Sequence, residues 1–308
     1  MTRKLVLFAF LAYAFAFGIG SEFPPAQYPQ DFVHTFHDIQ GWSGKVVTVS
    51  ESFPRAFLYK NFLSPEECDH LIDKAVPNLK ESLVVNSTSG ESYKSDVRTS
   101  SNTFFSLGED EVIERIERRI AAVTHIPVSH GEGIQILRYE NGQKYEQHFD
   151  YFEDEVNSAR DKGGQRVATM LMYLKTVPVG GGGETIFPKA KHGQVSGADW
   201  SDCAEGTLAV KTSRGDALLF YSLHQDAAKD PSSLHASCPT TEGTKYTATK
   251  WMHVYPIGGC ARPLRAAADR RSGRVPLRSA LFGEEVGPDS DPRRMYLLGG
   301  GERWIQGG

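Results

Sequence analysis

Apolar residues recur along this chain with two spacings, and the change from one to the other falls near Pro127. Before it, alternating apolar positions in "SFPRAFLYKNFL" give way to Ser64-Pro65-Glu66-Glu67. A serine N-cap, a proline at the first helical position and acids in the first turn predict a helix starting there. A second amphipathic helix is predicted over "GEDEVIERIERRIAAVTHI", where Val112, Ile113, Ile116, Ile120 and Val123 recur at helical spacing. After Pro127 the runs shorten to "GIQILRYE", "QHFDYF", "RVATMLMYLK", "GTLAVKT", "DALLFYS" and "TATKWMHVY", separated by Gly, Pro, Asp and Ser. These read as strands. Many short strands behind two helices predict a mainly β chain, a barrel or double-sheet jelly roll with the helices flanking one sheet from outside.

The ends differ from this middle. Arg3 and Lys4 precede an apolar run from Leu5 to about Gly20, the order of a secretory signal peptide, and a retained signal-anchor is the alternative. Either one sends residues 21 onward into the secretory pathway, to the endoplasmic reticulum or Golgi lumen. Membrane attachment is expected only if residues 1–20 are kept. Residues 21–50 read as an irregular lead-in and 51–259 as one folded domain. The segment 260–308, with nine arginines and no lysine after Cys260, reads as a disordered Arg/Gly-rich tail. Asn86-Ser87-Thr88 is a glycosylation sequon. The four cysteines, Cys68, Cys203, Cys238 and Cys260, form no C-x-x-C and match no zinc module. Spacing does not dictate their pairing; Cys203–Cys238 is the guess adopted.

Composition narrows the partners. The 308 residues, 40% hydrophobic, carry 34 basic against 38 acidic side chains. That balance gives no global attraction to nucleic acid or an anionic membrane. The chemistry begins in "QHFDYF". On a strand, His148 and Asp150 face the same way and could hold one metal ion. An H-x-D triplet alone is weak, and a second histidine is needed. His224 and His235 compete for that place. Only His235 is followed ten residues later by a cation, Lys245; the matching position after His224 is Leu234. A buried ammonium needs an anion, so His148, Asp150, His235 and Lys245 together suit Fe(II) with a dicarboxylate. Two His and one carboxylate leave three iron positions for a bidentate cosubstrate and dioxygen.

"YENGQKYEQHFDYF", "GGQRVATMLMYL", "GGGETIFP", "GDALLFYSL" and "DPSSLHASCPTTEGTKYTATKWMHV" resemble, in register from about Pro54 to Gly259, the plant and green-algal type of prolyl 4-hydroxylase. The resemblance implies a double-stranded β-helix that uses Fe(II), 2-oxoglutarate, O2 and ascorbate to hydroxylate peptidyl proline, here in hydroxyproline-rich wall glycoproteins. It makes His148, Asp150 and His235 the iron ligands and Lys245, Tyr139 and Thr185 the 2-oxoglutarate contacts. Arg166 and His253 correspond to polar residues at the reacting centre. Glu132, Tyr145, Arg98 and Trp251 fall where a polyproline II peptide is bound, and "SDVRTSSNTFF" matches a mobile loop closing over it. Unaided, Arg166 is a solvated strand start, His253 a satisfied strand histidine, Tyr139 an ordinary strand tyrosine and Thr185 a turn residue. The extra glycine in "VGGGGET" leaves the placement of Thr185 open. Three rivals stand beside this reading: oxygenation of another side chain such as lysine, a non-catalytic metal-binding jelly roll, and a zinc hydrolase that would leave Lys245 unexplained.

Overall fold

The computed structural model describes residues 33–85, 92–93, 95–211 and 213–257. The expected signal peptide, the sequon at Asn86, Cys260 and the Arg/Gly-rich tail lie outside them. In chain order the elements are β1 (Val33–Ile39), β2 (Trp42–Ser50), β3 (Ala56–Tyr59), α1 (Pro65–Ala75), β4 (Lys80–Glu81), β5 (Val84–Val85), β6 (Ser92–Tyr93) and β7 (Ser101–Phe105). They continue with α2 (Glu111–Thr124), β8 (Ile134–Tyr139), β9 (Tyr145–His148), β10 (Arg166–Tyr173), β11 (Thr185–Phe187), β12 (Leu208–Val210), β13 (Ala217–Tyr221), β14 (His235–Ser237) and β15 (Lys245–His253).

Both helices start where their caps place them. Ser64 Oγ accepts from Glu67 N at 3.2 Å and the Glu67 carboxylate accepts from Ser64 N at 3.0 Å, a closed capping box. Asp110 caps α2 through Ile113 N at 2.9 Å. Each helix then turns one apolar stripe, Cys68, Leu71 and Ala75 on α1 and Ile113, Ile116 and Ile120 on α2, onto the same core.

That core covers one face of a nine-stranded antiparallel sheet, ordered β1-β2-β3-β13-β10-β15-β8-β7-β4. A four-stranded sheet, β12-β11-β14-β9, closes over the other face to make the double-stranded β-helix. The period of two sorts side chains between the layers. On β10, Ala168, Met170 and Met172 meet the helices, whereas Thr169 and Leu171 line the space between the sheets. On β15, Ala248 and Met252 face the helices, and Lys245, Thr247, Thr249 and Trp251 face inward.

Three expectations change. The irregular lead-in over 21–50 is, from residue 33 on, the β1–β2 hairpin at the sheet edge. Its turn is Gln40-Gly41, both at positive φ (50° and 79°), as a two-residue hairpin requires. The alternation is faint because β1 is mostly exposed and β2 fully buries only Trp42 and Val46. The expected mobile loop 95–105 is half strand: Ser101–Phe105 is β7, paired on both sides by β4 and β8. Asn102 bonds Ser82 and Gln135, and of the two aromatics Phe105 is buried and Phe104 exposed, so the strand carries no apolar rhythm. Strand β9 ends at His148, so Asp150 does not share a strand face with it. The backbone turns after Phe149 and brings the carboxylate inward.

The glycine run before Thr185 is demanded by crowding. Gly182 has φ +72°, and a Cβ there would lie 2.1 Å from the Pro239 carbonyl oxygen. Cys203 and Cys238 form a disulfide, and Cys68 is free and buried in the helix–sheet core. No helix among the described residues is long and apolar enough to cross a membrane.

Candidate active site

Strands β9 and β14 pair so that His148 lies opposite His235, ring centroids 4.2 Å apart. In each histidine, Nδ1 faces the carbonyl oxygen two residues upstream, Glu146 O at 2.8 Å and Ser233 O at 3.0 Å. Those carbonyls can only accept, so Nδ1 carries the proton and Nε2 presents its lone pair. Asp150 approaches from the turn, with Oδ1 3.7 Å from His148 Nε2 and Oδ2 3.7 Å from His235 Nε2. These gaps are too long for hydrogen bonds. Thr169 on β10 fixes the carboxylate by donating to Oδ2 at 2.6 Å. One ligand atom from each of the three residues falls within 4.8 Å of the others.

The charges suit a divalent cation. Burial, then the neighbouring His235, pushes the His148 pKa down to about 3, so the imidazole is neutral and able to ligate. Burial alone would raise Asp150, but His235, His148 and Arg166 outweigh it and keep the carboxylate ionised. Two imidazole nitrogens and one carboxylate form the facial set that leaves iron(II) open positions. Thr169 and the two carbonyls supply the orienting contacts such ligands need.

At the inner end of the same cavity stands Lys245, paired across the sheet with Tyr139 and only 1% exposed. Its ammonium donates to Gly183 O at 2.6 Å and Ser237 Oγ at 2.9 Å. Burial pushes its pKa down to about 7, against a smaller upward pull from Glu184. The Glu184 carboxylate is already held by Ser201 N and Oγ at 3.0 and 2.8 Å. Among the described residues, then, no carboxylate pairs with Lys245. Thr185 lines the cavity and accepts from the Tyr173 hydroxyl at 2.9 Å, so the glycine run does place it in the pocket. Leu137, Leu171 and Phe220 supply apolar wall between the two ends. Metal ligands at one end and a lone cation at the other match a small dicarboxylate.

The mouth carries a second charged group. Glu132 Oε1 accepts from Arg166 Nε at 2.6 Å and meets His253 Nε2 at 2.8 Å. The Arg166 guanidinium lies 4.0 Å over Trp251 and 4.7 Å over Phe152. Arg98 sits 4.6 Å over Tyr145, which stacks on His148 at 3.6 Å. A groove of about 950 Å³ opens above them, bordered by Arg98, Tyr145, Phe149, Phe152, Arg166 and Trp251.

Ten of the twelve candidate site residues border the cavity or its groove, Glu132 and His253 stand behind them through Arg166, and His224 does neither. It packs its ring 5.8 Å from Phe53 near Asp230, outside the cavity. Three residues escaped notice in the sequence: Thr169, Ser237 and Gln135. The available signals were a hydroxyl in an otherwise apolar strand for Thr169 and the i+2 position from His235 for Ser237. Gln135 carried none.

Comparison with known proteins agrees with this geometry. Residues 134–253, from β8 to the end of β15, match the 2OG-Fe(II) oxygenase superfamily. The chain is 50% identical over 216 residues to a probable prolyl 4-hydroxylase 7 of Arabidopsis thaliana, covering 70% of this chain and 67% of that protein. It is 54% identical over 205 residues to probable prolyl 4-hydroxylase 3 and 52% over 215 to prolyl 4-hydroxylase 2 of the same organism. The first pair covers 65% of this chain and 70% of that protein, the second 68% and 70%. Among solved structures, it aligns with a viral collagen prolyl hydroxylase of Paramecium Bursaria Chlorella virus-1 in a 2OG complex. That alignment has 28% identity and a TM-score of 0.46, over 64% of this chain and 94% of that one.

Proposed function

The chain belongs to the prolyl 4-hydroxylase family, and from that premise we propose that it hydroxylates proline C4 in extended, proline-rich peptides lying in the groove above His148, Asp150 and His235. It is a 2-oxoglutarate- and Fe(II)-dependent enzyme. His148, Asp150 and His235 would hold the iron, which with 2-oxoglutarate as the co-reductant would supply oxygen activation.

The side chains hold and orient. Thr169 and the Glu146 and Ser233 carbonyls keep the ligands aimed before any metal is bound. Lys245, with Tyr139 and Thr185, receives the far carboxylate of 2-oxoglutarate. Arg166 and His253 stand at the reacting end, both tied to Glu132, so their positions are set by one carboxylate. Tyr145, Trp251 and Arg98 offer the peptide flat faces and donors, the surface that a polyproline II ligand docks on. Ascorbate is the reductant expected to sustain turnover. The Cys203–Cys238 disulfide is in keeping with an oxidising compartment, as the secretory lumen is. Hydroxyproline-rich wall glycoproteins are the substrate class that fits this reading.

One observation carries it: Lys245 is buried without a counter-ion among the described residues, in the cavity that the three metal ligands line. The test is mass spectrometry of a Ser-Pro-rich and a polyproline peptide after incubation with protein, Fe(II), 2-oxoglutarate and ascorbate. One oxygen added on proline, with matching succinate, is expected. Succinate without modified peptide would discard these substrates, and neither product from folded, iron-loaded protein would overturn the enzyme assignment.

A further inference from the structure

The groove above the metal ligands runs on past the reacting end, and two successive phenylalanines on β7 show where. Neighbours on a strand point to opposite faces of the sheet. Phe105 pairs with Ile134 and is buried in the helix–sheet core. Phe104 pairs with Gln135, on the face that carries the cavity, and is 54% exposed. Leu83, 47% exposed, borders the same groove. A single apolar side chain on a surface needs no explanation, but two along one groove that continues a site do.

Arg98 ties this pair to the site. It donates to Leu83 O at 3.3 Å and to Gln135 Oε1 at 3.0 Å, and it lies over Tyr145, which stacks on His148. Beneath it, Gln135 Nε2 donates to Asn102 Oδ1 at 3.0 Å and Asn102 Nδ2 to Ser82 Oγ at 2.8 Å, with Ser100 Oγ 2.9 Å further on. The polar side chains of this floor bond one another, while Leu83 and Phe104 turn apolar surface to the groove. Distance decides what can cover them. From Trp251 on β15 the sheet order passes β8 to reach β7, and Phe104 is level with Thr249, two residues short of Trp251. Two strand spacings and that offset put the two backbones roughly 12 Å apart. A polyproline II chain repeats its facing every three residues, over roughly 9 Å. Ring contact across about 4 Å makes up the rest. A peptide with one proline over Trp251 therefore sets the proline three residues away against Phe104, and a proline two or four away faces elsewhere.

We propose that Leu83 and Phe104 form a second apolar subsite of the peptide groove, one that takes a proline ring three residues from the proline that reacts. Substrates with prolines three apart, in unbroken runs or in a three-residue repeat, gain a contact there that alternating prolines lack. The two side chains reach no reacting atom and act on specificity alone. The inference deepens the proposed function and rests on its placement of the peptide.

The experiment compares a Pro-Ser-Ser repeat, a Ser-Pro repeat and poly-L-proline of equal length. Their Kd is read by titration calorimetry on the full chain loaded with Fe(II) and 2-oxoglutarate without oxygen, and kcat and KM by mass spectrometry in air. Phe104→Ala should weaken the Pro-Ser-Ser repeat and poly-L-proline about three- to tenfold, the span of one aromatic contact. The loss should appear in Kd and KM with kcat held, as for a contact made equally before and during reaction. The Ser-Pro repeat, whose prolines never stand three apart, should lose less than about twofold. Phe104→Tyr should restore the difference, and Leu83→Ala should reproduce it in smaller measure should the first variant fold poorly. Equal loss on both repeats, or loss on neither, overturns the subsite, as does a fall in kcat at unchanged KM. A dimer in sedimentation that Phe104→Ala dissociates, with peptide affinity unchanged, would make the patch an interface between copies and also overturns it. Both repeats hydroxylated with the same response to Phe104→Ala removes the second subsite alone. No modified proline in any peptide from folded, iron-loaded wild type removes the proposed function and the subsite with it.

Discussion

Lys245 and Lys250 lie on the same strand, β15, five residues apart and on opposite faces of the sheet. Both are buried, and burial pushes both ammonium groups toward the neutral form. Lys250, toward the helices, donates to Glu117 Oε1 at 2.6 Å, and the other Glu117 oxygen accepts from Gly108 N at 2.9 Å. Lys245, toward the cavity, donates to a carbonyl and a hydroxyl, and no carboxylate pairs with it among the described residues. The helix layer closes its other deep charge as well, pairing Arg119 with Glu67 at 2.8 Å. Burial is common to the two lysines, so burial does not mark function. The missing counter-charge does: the outer lysine is complete in the folded chain, and the inner one is completed by a ligand.

The largest effect should come from the far end of the open cavity. Asp150→Ala removes the one carboxylate among the three metal ligands, and turnover should fall by about a thousandfold or more. Peptide hydroxylation near the wild-type rate would reject the metal assignment. Breaking the closed pair comes next. Lys250→Ala strands Glu117 and should cost about 3–5 kcal/mol of stability, read by urea denaturation. Replacing both members by apolar residues, Lys250→Met with Glu117→Leu, should recover most of it. Lys245→Met should do the opposite, leaving stability equal or higher while raising the KM for 2-oxoglutarate about 10- to 100-fold, the span of a charge-assisted hydrogen bond. An unchanged KM would remove Lys245 from that role.

The smallest effect is the sharpest test of the difference. The folded, ligand-free chain holds Lys245 at about 7, against about 10.4 in an unfolded chain. Below pH 7 both states are protonated and the burial penalty is fully present. Between about 7 and 10 the unfolded chain binds more protons, so stability rises with pH. The Tm advantage of Lys245→Met over wild type should therefore shrink across that window. A constant advantage would mean that the lysine is not held as a destabilised cation.

Much of this site was legible because its chemistry sits in short, ordered motifs. His148 and Asp150 are two apart, and Lys245 follows His235 by ten, so residue type and spacing picked out the candidates, although a turn after β9 and not a shared strand face brings Asp150 inward. The capping box at Ser64 and Glu67 was equally local, as was the stripe of α2. What stayed hidden depends on partners distant in sequence. Glu117 meets Lys250, and Glu67 meets Arg119, only after the helices dock, and an isolated glutamate on a helix looks solvated. Gln135, Asn102, Ser82 and Ser100 are neutral polar residues with no motif, visible only as a chain of contacts. The β1–β2 hairpin was missed because an edge strand facing water needs little apolar alternation.

The alternation of β15 has a consequence for how such a protein can vary. Slipping this strand by one residue in its register would turn Lys245 toward the oily helix layer and Lys250 into the cosubstrate chamber in a single step, and an insertion or deletion inside the strand would do so to one part of it. Neither lysine would find a suitable neighbour, and Trp251 and His253 would leave the mouth together. Small changes of length within β15 should therefore be absent from functional relatives. The connection between β11 and β12 is pinned at Ser201 and Cys203, and its stretch ahead of those anchors has room to lengthen. Inherited variation in substrate preference can then accumulate around the groove, while the strand that joins catalysis to folding admits substitution but not resizing.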